Sequence, residues 1–167
     1  YWLLTSEYPP FFGGGISTYC RLTARMLNGN GHDVTVFVND DTIRNTKVEI
    51  IGNIRVIRFN PSSTNSSTFL GHTTNISYEF ANIIKHFIAQ EGKPDIIESQ
   101  EYLGIAYYLL QYKHLHYSWC EDIPILITMH SPSFLYMEYN QVSMYRYPNY
   151  WICEMERFCI QSADYII

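Results

Sequence analysis

Positive charge is scarce in this chain of 167 residues: 11 Lys and Arg stand against 16 Asp and Glu, a net charge of -5. The basic residues are scattered, so no surface is built for phosphate backbones, and a nucleic-acid partner is excluded. Cysteine is sparse too, with four at positions 20, 120, 153 and 159 and no CxxC pair. That is too few for a disulfide scaffold in a chain this long, and it suits a reducing, cytoplasmic setting. Long apolar runs are missing. The longest, Ile123 to Met129, holds Pro124 and is far too short to span a membrane, which leaves peripheral membrane contact open. No basic start and apolar stretch mark a signal peptide, there is no initiator Met, and both ends fall in strand-like runs; the reading expects a piece excised from a longer protein. Charged residues are only 16% of the chain, while 47% is hydrophobic and 16% aromatic, which rules out disorder, a coiled coil and a collagen-like chain.

What is present alternates in period. Tyr1 to Thr5 is a strand-like run that ends at Pro9-Pro10-Phe11-Phe12-Gly13-Gly14-Gly15, a loop. Tyr19, Leu22 and Met26 then recur at helical spacing, with Arg21, Arg25 and Asn28 opposite and Gly29-Asn30-Gly31 as the stop. Val34 to Val38 closes a β-α-β unit with a right-handed crossover. Val48 to Ile51 and Ile54 to Phe59 bracket Gly52-Asn53 and read as a hairpin or a bulged strand. Residues 60–74 are polar and read as a mobile loop. Ile76, Phe80, Ile83, Ile84, Phe87 and Ile88 mark a second helix, Asp95 to Glu98 a fourth strand, and Leu103, Ala106, Tyr107 and Leu110 a third helix. Ile123 to Met129 is a fifth, buried strand, and Trp151, Met155 and Phe158 a last helix. The fold class is therefore α/β, a doubly wound Rossmann-like parallel sheet.

In such sheets ligands sit outside the carboxyl ends of the strands where strand order reverses. With the order 3-2-1-4-5, three segments converge there: Gly13-Gly14-Gly15, Glu98-Ser99-Gln100-Glu101 and His130-Ser131-Pro132. The glycines permit close backbone approach and lead into a helix whose N-terminus favours anionic oxygens, so a diphosphate is the natural guest. A dinucleotide fingerprint competes, with Asp40 or Asp41 after the second strand; however, Thr18 stands where the third glycine belongs, and Ser6 to Phe12 separates strand from glycines. No Gly-Lys-Ser/Thr follows, so a P-loop is excluded. Glu98 and Glu101 can bind sugar hydroxyls or cap the following helix. His114, His116 and Cys120 fit no zinc spacing, and no metal site is expected. Asn65-Ser66-Ser67 and Asn75-Ile76-Ser77 match the glycosylation sequon by chance. The tyrosines from Tyr136 to Tyr150 form an acceptor platform or pack the last helix.

The run Glu7-Tyr8-Pro9-Pro10, then Gly13 to Tyr19, Leu27 and Gly31-His32-Asp33-Val34-Thr35-Val36, resembles the opening of family 4 retaining glycosyltransferases of the GT-B fold. In the same order come Pro94 to Glu98, Pro124 to His130 and Glu154 with Ser162 to Ile167. The resemblance implies the N-terminal, acceptor-side half of a two-domain enzyme over residues 1–167, with the C-terminal nucleotide-sugar-binding domain and its pair of glutamates absent and the fragment inactive alone. It implies Gly13, Gly14 and Gly15 as donor-binding residues, His130 as the catalytic contact to the transferred sugar, and Glu98, Glu101 and Tyr102 as acceptor contacts. The nucleotide sugar is then a substrate, the acceptor a glycan, lipid or small molecule, and no cofactor or obligatory metal is implied. Two other classes stand beside it: a dinucleotide-binding oxidoreductase domain and a non-catalytic sugar- or partner-binding module.

Overall fold

β-Branched and aromatic runs pair into a sheet, and each helical stripe covers one of its faces. The computed structural model describes residues 1–63 and 67–167. Its strands are β1 (Trp2–Thr5), β2 (Thr35–Asn39), β3 (Lys47–Ile51), β4 (Ile54–Phe59), β5 (Ile97–Gln100), β6 (Ile125–Thr128) and β7 (Tyr165–Ile166). The α-helices are α1 (Gly15–Gly29), α2 (His72–Glu91), α3 (Tyr107–His114), α4 (Ser133–Tyr139) and α5 (Asn149–Ser162), with single 3-10 turns at Thr68–Leu70 and Tyr102–Gly104. The sheet order is β3-β4-β2-β1-β5-β6-β7. Its inner order is the one expected, with β1 between β2 and β5 and every pair parallel except β3 with β4. That pair is the hairpin alternative, turned at Gly52, whose φ of 64° a side chain rarely adopts.

Alternate residues of the central strands feed two cores. Leu3, Val36, Val38 and Val56 pack beneath α1, whereas Leu4, Phe37 and Ile57 pack against α2 and α3. Leu3 and Leu4 are both fully buried, and truncating either to Ala would cost about 2–5 kcal/mol. Ser77 on α2 ties the second core together, donating to Ile105 O at 2.9 Å and accepting from Tyr108 N–H at 3.2 Å.

Several expectations shift. The stripe of α1 that faces the sheet is Ser17, Cys20 and Ala24, not Leu22 and Met26, which are each 57% exposed. Branched valines already fill this face of the sheet, and a helix presenting small residues can lie closer to it. β5 runs two residues later than read, so Glu98 is its second residue and not its last. Part of the segment read as a loop, from His72 on, is already α2. Asn75 of the second sequon is buried on that helix and donates to Pro61 O; Asn65 and Ser66 of the first lie outside the described residues. Helix α4 was not anticipated: it is short, and Ser133 and Met137 are the residues it buries. Of the tyrosines around it, Tyr139, Tyr145 and Tyr147 are all more than three-quarters exposed.

Candidate functional site

Because β1, β5 and β6 are adjacent and parallel, the loops that leave their carboxyl ends meet over the sheet edge. They enclose an open cavity of about 550 Å³. Glu7, Gly15 and Ile16 line it from the β1 loop and α1, Tyr102 from the turn after β5, and His130, Ser131, Ser133 and Tyr136 from the segment after β6.

The glycine loop brings the start of α1 to this cavity. Gly15 is both the first residue of α1 and part of the lining, and among the described residues no side chain caps the helix N-terminus. Its first amides are thus free to receive an anion. Gly14 has φ 150°, and a Cβ there would stand 2.5 Å from Glu7 Oε2. Gly13 is exposed, with nothing within 4 Å of an added Cβ.

His130 is exposed at the mouth, its ring edge-on to that of Tyr19 at 4.8 Å between centroids. Its position is set by the backbone. The His130 N–H donates to both oxygens of Glu101 at 2.9 and 3.0 Å, and Ser131 N–H donates to Glu101 Oε1 at 2.6 Å. Glu98, only 1% exposed, accepts Tyr19 OH at 2.9 Å and Thr128 OH at 2.7 Å on one oxygen and Tyr1 OH on the other. The two glutamates read as acceptor contacts therefore lie below the cavity floor with their oxygens engaged by the chain itself. Tyr102, read with them as an acceptor contact, lines the cavity. Burial raises the Tyr19 hydroxyl above the ordinary tyrosine value and pushes the Cys20 thiol up to about 12, so this thiol is no nucleophile at neutral pH.

Two other readings can be placed. Asp40, a candidate for a ribose, is 1% exposed and paired with Arg58, whose Nε lies 2.9 Å away; Thr42 donates to it as well. Burial alone would raise its carboxyl, but these hydrogen bonds hold it below the usual range. Among the described residues no three His, Cys, Asp or Glu side chains converge as metal ligands, and no helix is long and apolar enough to cross a membrane.

Compared with known families, residues 13–167 match the model of Glycosyltransferase Family 4. The chain belongs to this family. A comparison with curated proteins found no match. Among solved structures, the fold is similar to sucrose-phosphate synthase from Thermosynechococcus elongatus (TM-score 0.68, 18% identity, covering 99% of this chain and 41% of that one). It is also similar to the catalytic domain of starch synthase IV from Arabidopsis thaliana, solved with ADP and acarbose (TM-score 0.57, 19% identity, 77% and 33%). Os79 from O. sativa, solved with UDP, is a third (TM-score 0.58, 13% identity, 99% and 45%). The sheet is that of the N-terminal half of a GT-B fold, and the chain spans less than half the length of each of these three.

Two glutamates of α5 have different surroundings. Glu154 lies at the surface beside Arg157, 2.6 Å away. Glu156, two residues on, is fully buried and accepts Leu103 N–H at 3.0 Å, Ser133 N–H at 2.6 Å and Ser133 OH at 2.7 Å. Burial pushes its carboxyl up to about 7, with the nearby Glu101 adding to the rise. Its helical position facing Cys153 and Cys159, both buried, was the available signal. Tyr19 was read only as part of a helix stripe; its link between His130 and Glu98 depends on how β5, β6 and α1 come together, which no local pattern encodes.

Proposed function

We propose that this chain is the acceptor-side half of a retaining glycosyltransferase, which moves a sugar from a nucleotide-sugar donor to a glycan, lipid or small-molecule acceptor. The observation that carries the reading is the cavity in which an uncapped helix N-terminus and His130, fixed by its backbone, face one another across a sheet switch point. Retention at the anomeric carbon and the nucleotide-sugar donor come from the motifs the chain shares with its family. ADP and UDP in two structurally similar proteins are consistent with such a donor.

Each part has a chemical task. Charge grows on the departing diphosphate as the glycosidic bond breaks, and the uncapped start of α1, whose Gly15 and Ile16 line the cavity, stabilises it. Gly15, which lines the cavity, keeps the backbone bare so that the diphosphate or sugar can approach, and the bare Gly14 beside it makes room for Glu7. His130 contacts the transferred sugar through its ring or carbonyl. With Glu98 and Glu101 held from below, acceptor hydroxyls fall to Glu7, Tyr102 and Tyr136, which line the cavity. No bound metal is required for these steps. The second wall, which grips the nucleotide, comes from a C-terminal domain, and the four free, buried thiols suit a cytoplasmic protein.

The test is to incubate the full-length protein with UDP-, GDP- and ADP-sugars and a panel of acceptors, with products read by mass spectrometry and anomeric configuration by NMR. Transfer with the donor's configuration kept is the expected result. Transfer with inversion, or none with any donor that binds, overturns the reading.

A further inference from the structure

We infer that Glu156 is a positioning residue that locks the turn carrying Tyr102 to the segment carrying Ser131, Ser133 and Tyr136, and so sets the width of the cavity. The inference rests on the reading of that cavity as the transfer site.

Three donors from two distant segments converge on this one carboxylate. Oε1 accepts Leu103 N–H at 3.0 Å and Ser133 OH at 2.7 Å, and Oε2 accepts Ser133 N–H at 2.6 Å. Leu103 follows Tyr102 directly, and Ser133 itself lines the cavity. Neither segment holds this shape by regular structure alone: Leu103 has φ 59°, an uncommon conformation for a branched side chain, and Ser133 is the first residue of a helix whose N-cap, Pro132, offers no side-chain hydrogen bond. The neighbouring Gly104 completes the lock. With φ 62° it lies so close to α5 that an added Cβ would come 2.5 Å from Met155 Cβ.

Chemistry selects a carboxylate here. All three partners are donors, so an acceptor-only group satisfies them, whereas an amide would turn its own N–H₂ toward one of them. Burying a carboxylate is costly unless its hydrogen bonds are filled. Glu156 fills them with two backbone N–H groups and the Ser133 hydroxyl, while Glu101 accepts the N–H groups of His130 and Ser131. Two buried acids thus hold the whole run His130 to Ser133 from below.

The test uses the full-length protein with Glu156→Gln, and with Glu154→Gln as the surface control. Positioning predicts that Glu156→Gln lowers kcat about 100-fold, as a displacement of about 1 Å in a wall does, while the donor KM moves less than threefold and the folded fraction is unchanged. Amide hydrogen exchange should quicken at Leu103 and Ser133 and stay the same in β1, β5 and β6. Glu154→Gln should match the parent protein in both readouts. A folded Glu156→Gln with parental kcat and parental exchange overturns the inference, as does a loss of activity that only follows the loss of folded protein. If Glu156→Gln does not fold, Ser133→Ala, which removes just the hydroxyl contact, takes its place and should give a smaller kcat loss with faster Leu103 exchange; parental values for both overturn it. If the parent transfers no sugar at all, the reading of the site fails, and the exchange pattern alone decides whether Glu156 locks the two walls.

Discussion

The carboxylate of Glu101 grips the backbone of His130, accepting its N–H at 2.9 and 3.0 Å, and leaves the imidazole free to face the cavity. Holding a residue by its main chain separates position from chemistry, since a change of side chain need not move the loop. His130→Ala should therefore lower turnover in the full-length enzyme by roughly 10- to 1000-fold, as loss of a contact made in the transition state does, with little change in Tm. Steady-state kinetics and thermal melts on one preparation check it. A large fall in Tm with unchanged activity per folded molecule would assign the ring to packing against Tyr19.

Gly14 answers to two constraints at once. Its φ of 150° disfavours any side chain, and a Cβ would meet Glu7 Oε2 at 2.5 Å. Gly14→Ala should cost about 1–3 kcal/mol of stability through backbone strain and raise the donor KM, because the start of α1 shifts away from the cavity. Adding Glu7→Ala should relieve the clash but not the strain, so it recovers only part of the stability. Urea melts of the single and double variants separate the two contributions; full recovery would show that the backbone carries no strain here.

How much of this was legible follows from which signals are local. The parallel sheet, its order around β1, and the arrival of Gly15 and His130 at one edge follow from period and from the switch-point rule, because β1, β2 and β6 are largely apolar runs. The α1 face was misread, since Leu22 and Met26 outrank Cys20 and Ala24 in hydrophobicity, while the sheet selects for size. The switch-point rule brings Glu98 and Glu101 to this edge, but strand β5 runs on to Gln100, and Glu98 is buried with its oxygens taken by Tyr1, Tyr19 and Thr128. Glu156 carries no decisive signal in the sequence because two carboxylates two residues apart on a helix face different ways, and only the packed partner tells which one is inside.

Glu156 also gives stability a pH dependence of known sign. Its carboxyl lies at about 7 in the fold against an unfolded value of 4.5, so the folded state holds the proton more tightly. The group's stabilising contribution is full below 4.5 and is lost as pH rises through 7. The difference in unfolding free energy between the parent and Glu156→Gln should therefore shift in the parent's favour from pH 8 to pH 5, by up to about 3 kcal/mol. Urea melts at unit pH steps measure this. A difference that is flat across the window, or that shifts the other way, would mean the buried carboxylate is as well solvated by its three donors as by water.

The chain by itself should fold but not transfer sugar. Folding is supported by two filled cores on opposite faces of a seven-stranded sheet, closed by helices on both sides. Catalysis asks for more than one sheet edge offers. The cavity is open, the start of α1 and His130 line it, and among the described residues nothing closes over it to exclude water or hold reacting atoms in line. Donor binding should consequently be weak, at millimolar rather than micromolar concentration, and selective for the diphosphate over the sugar. Titrating UDP, GDP and ADP into the purified chain with NMR detection should move the amides of Gly15, Ile16 and His130 and leave those of β3 and β4 unmoved. Product formation is read by mass spectrometry against a His130→Ala control. Sustained transfer by this chain above that control would show that a single wall suffices, and that the division of labour between two domains is mistaken.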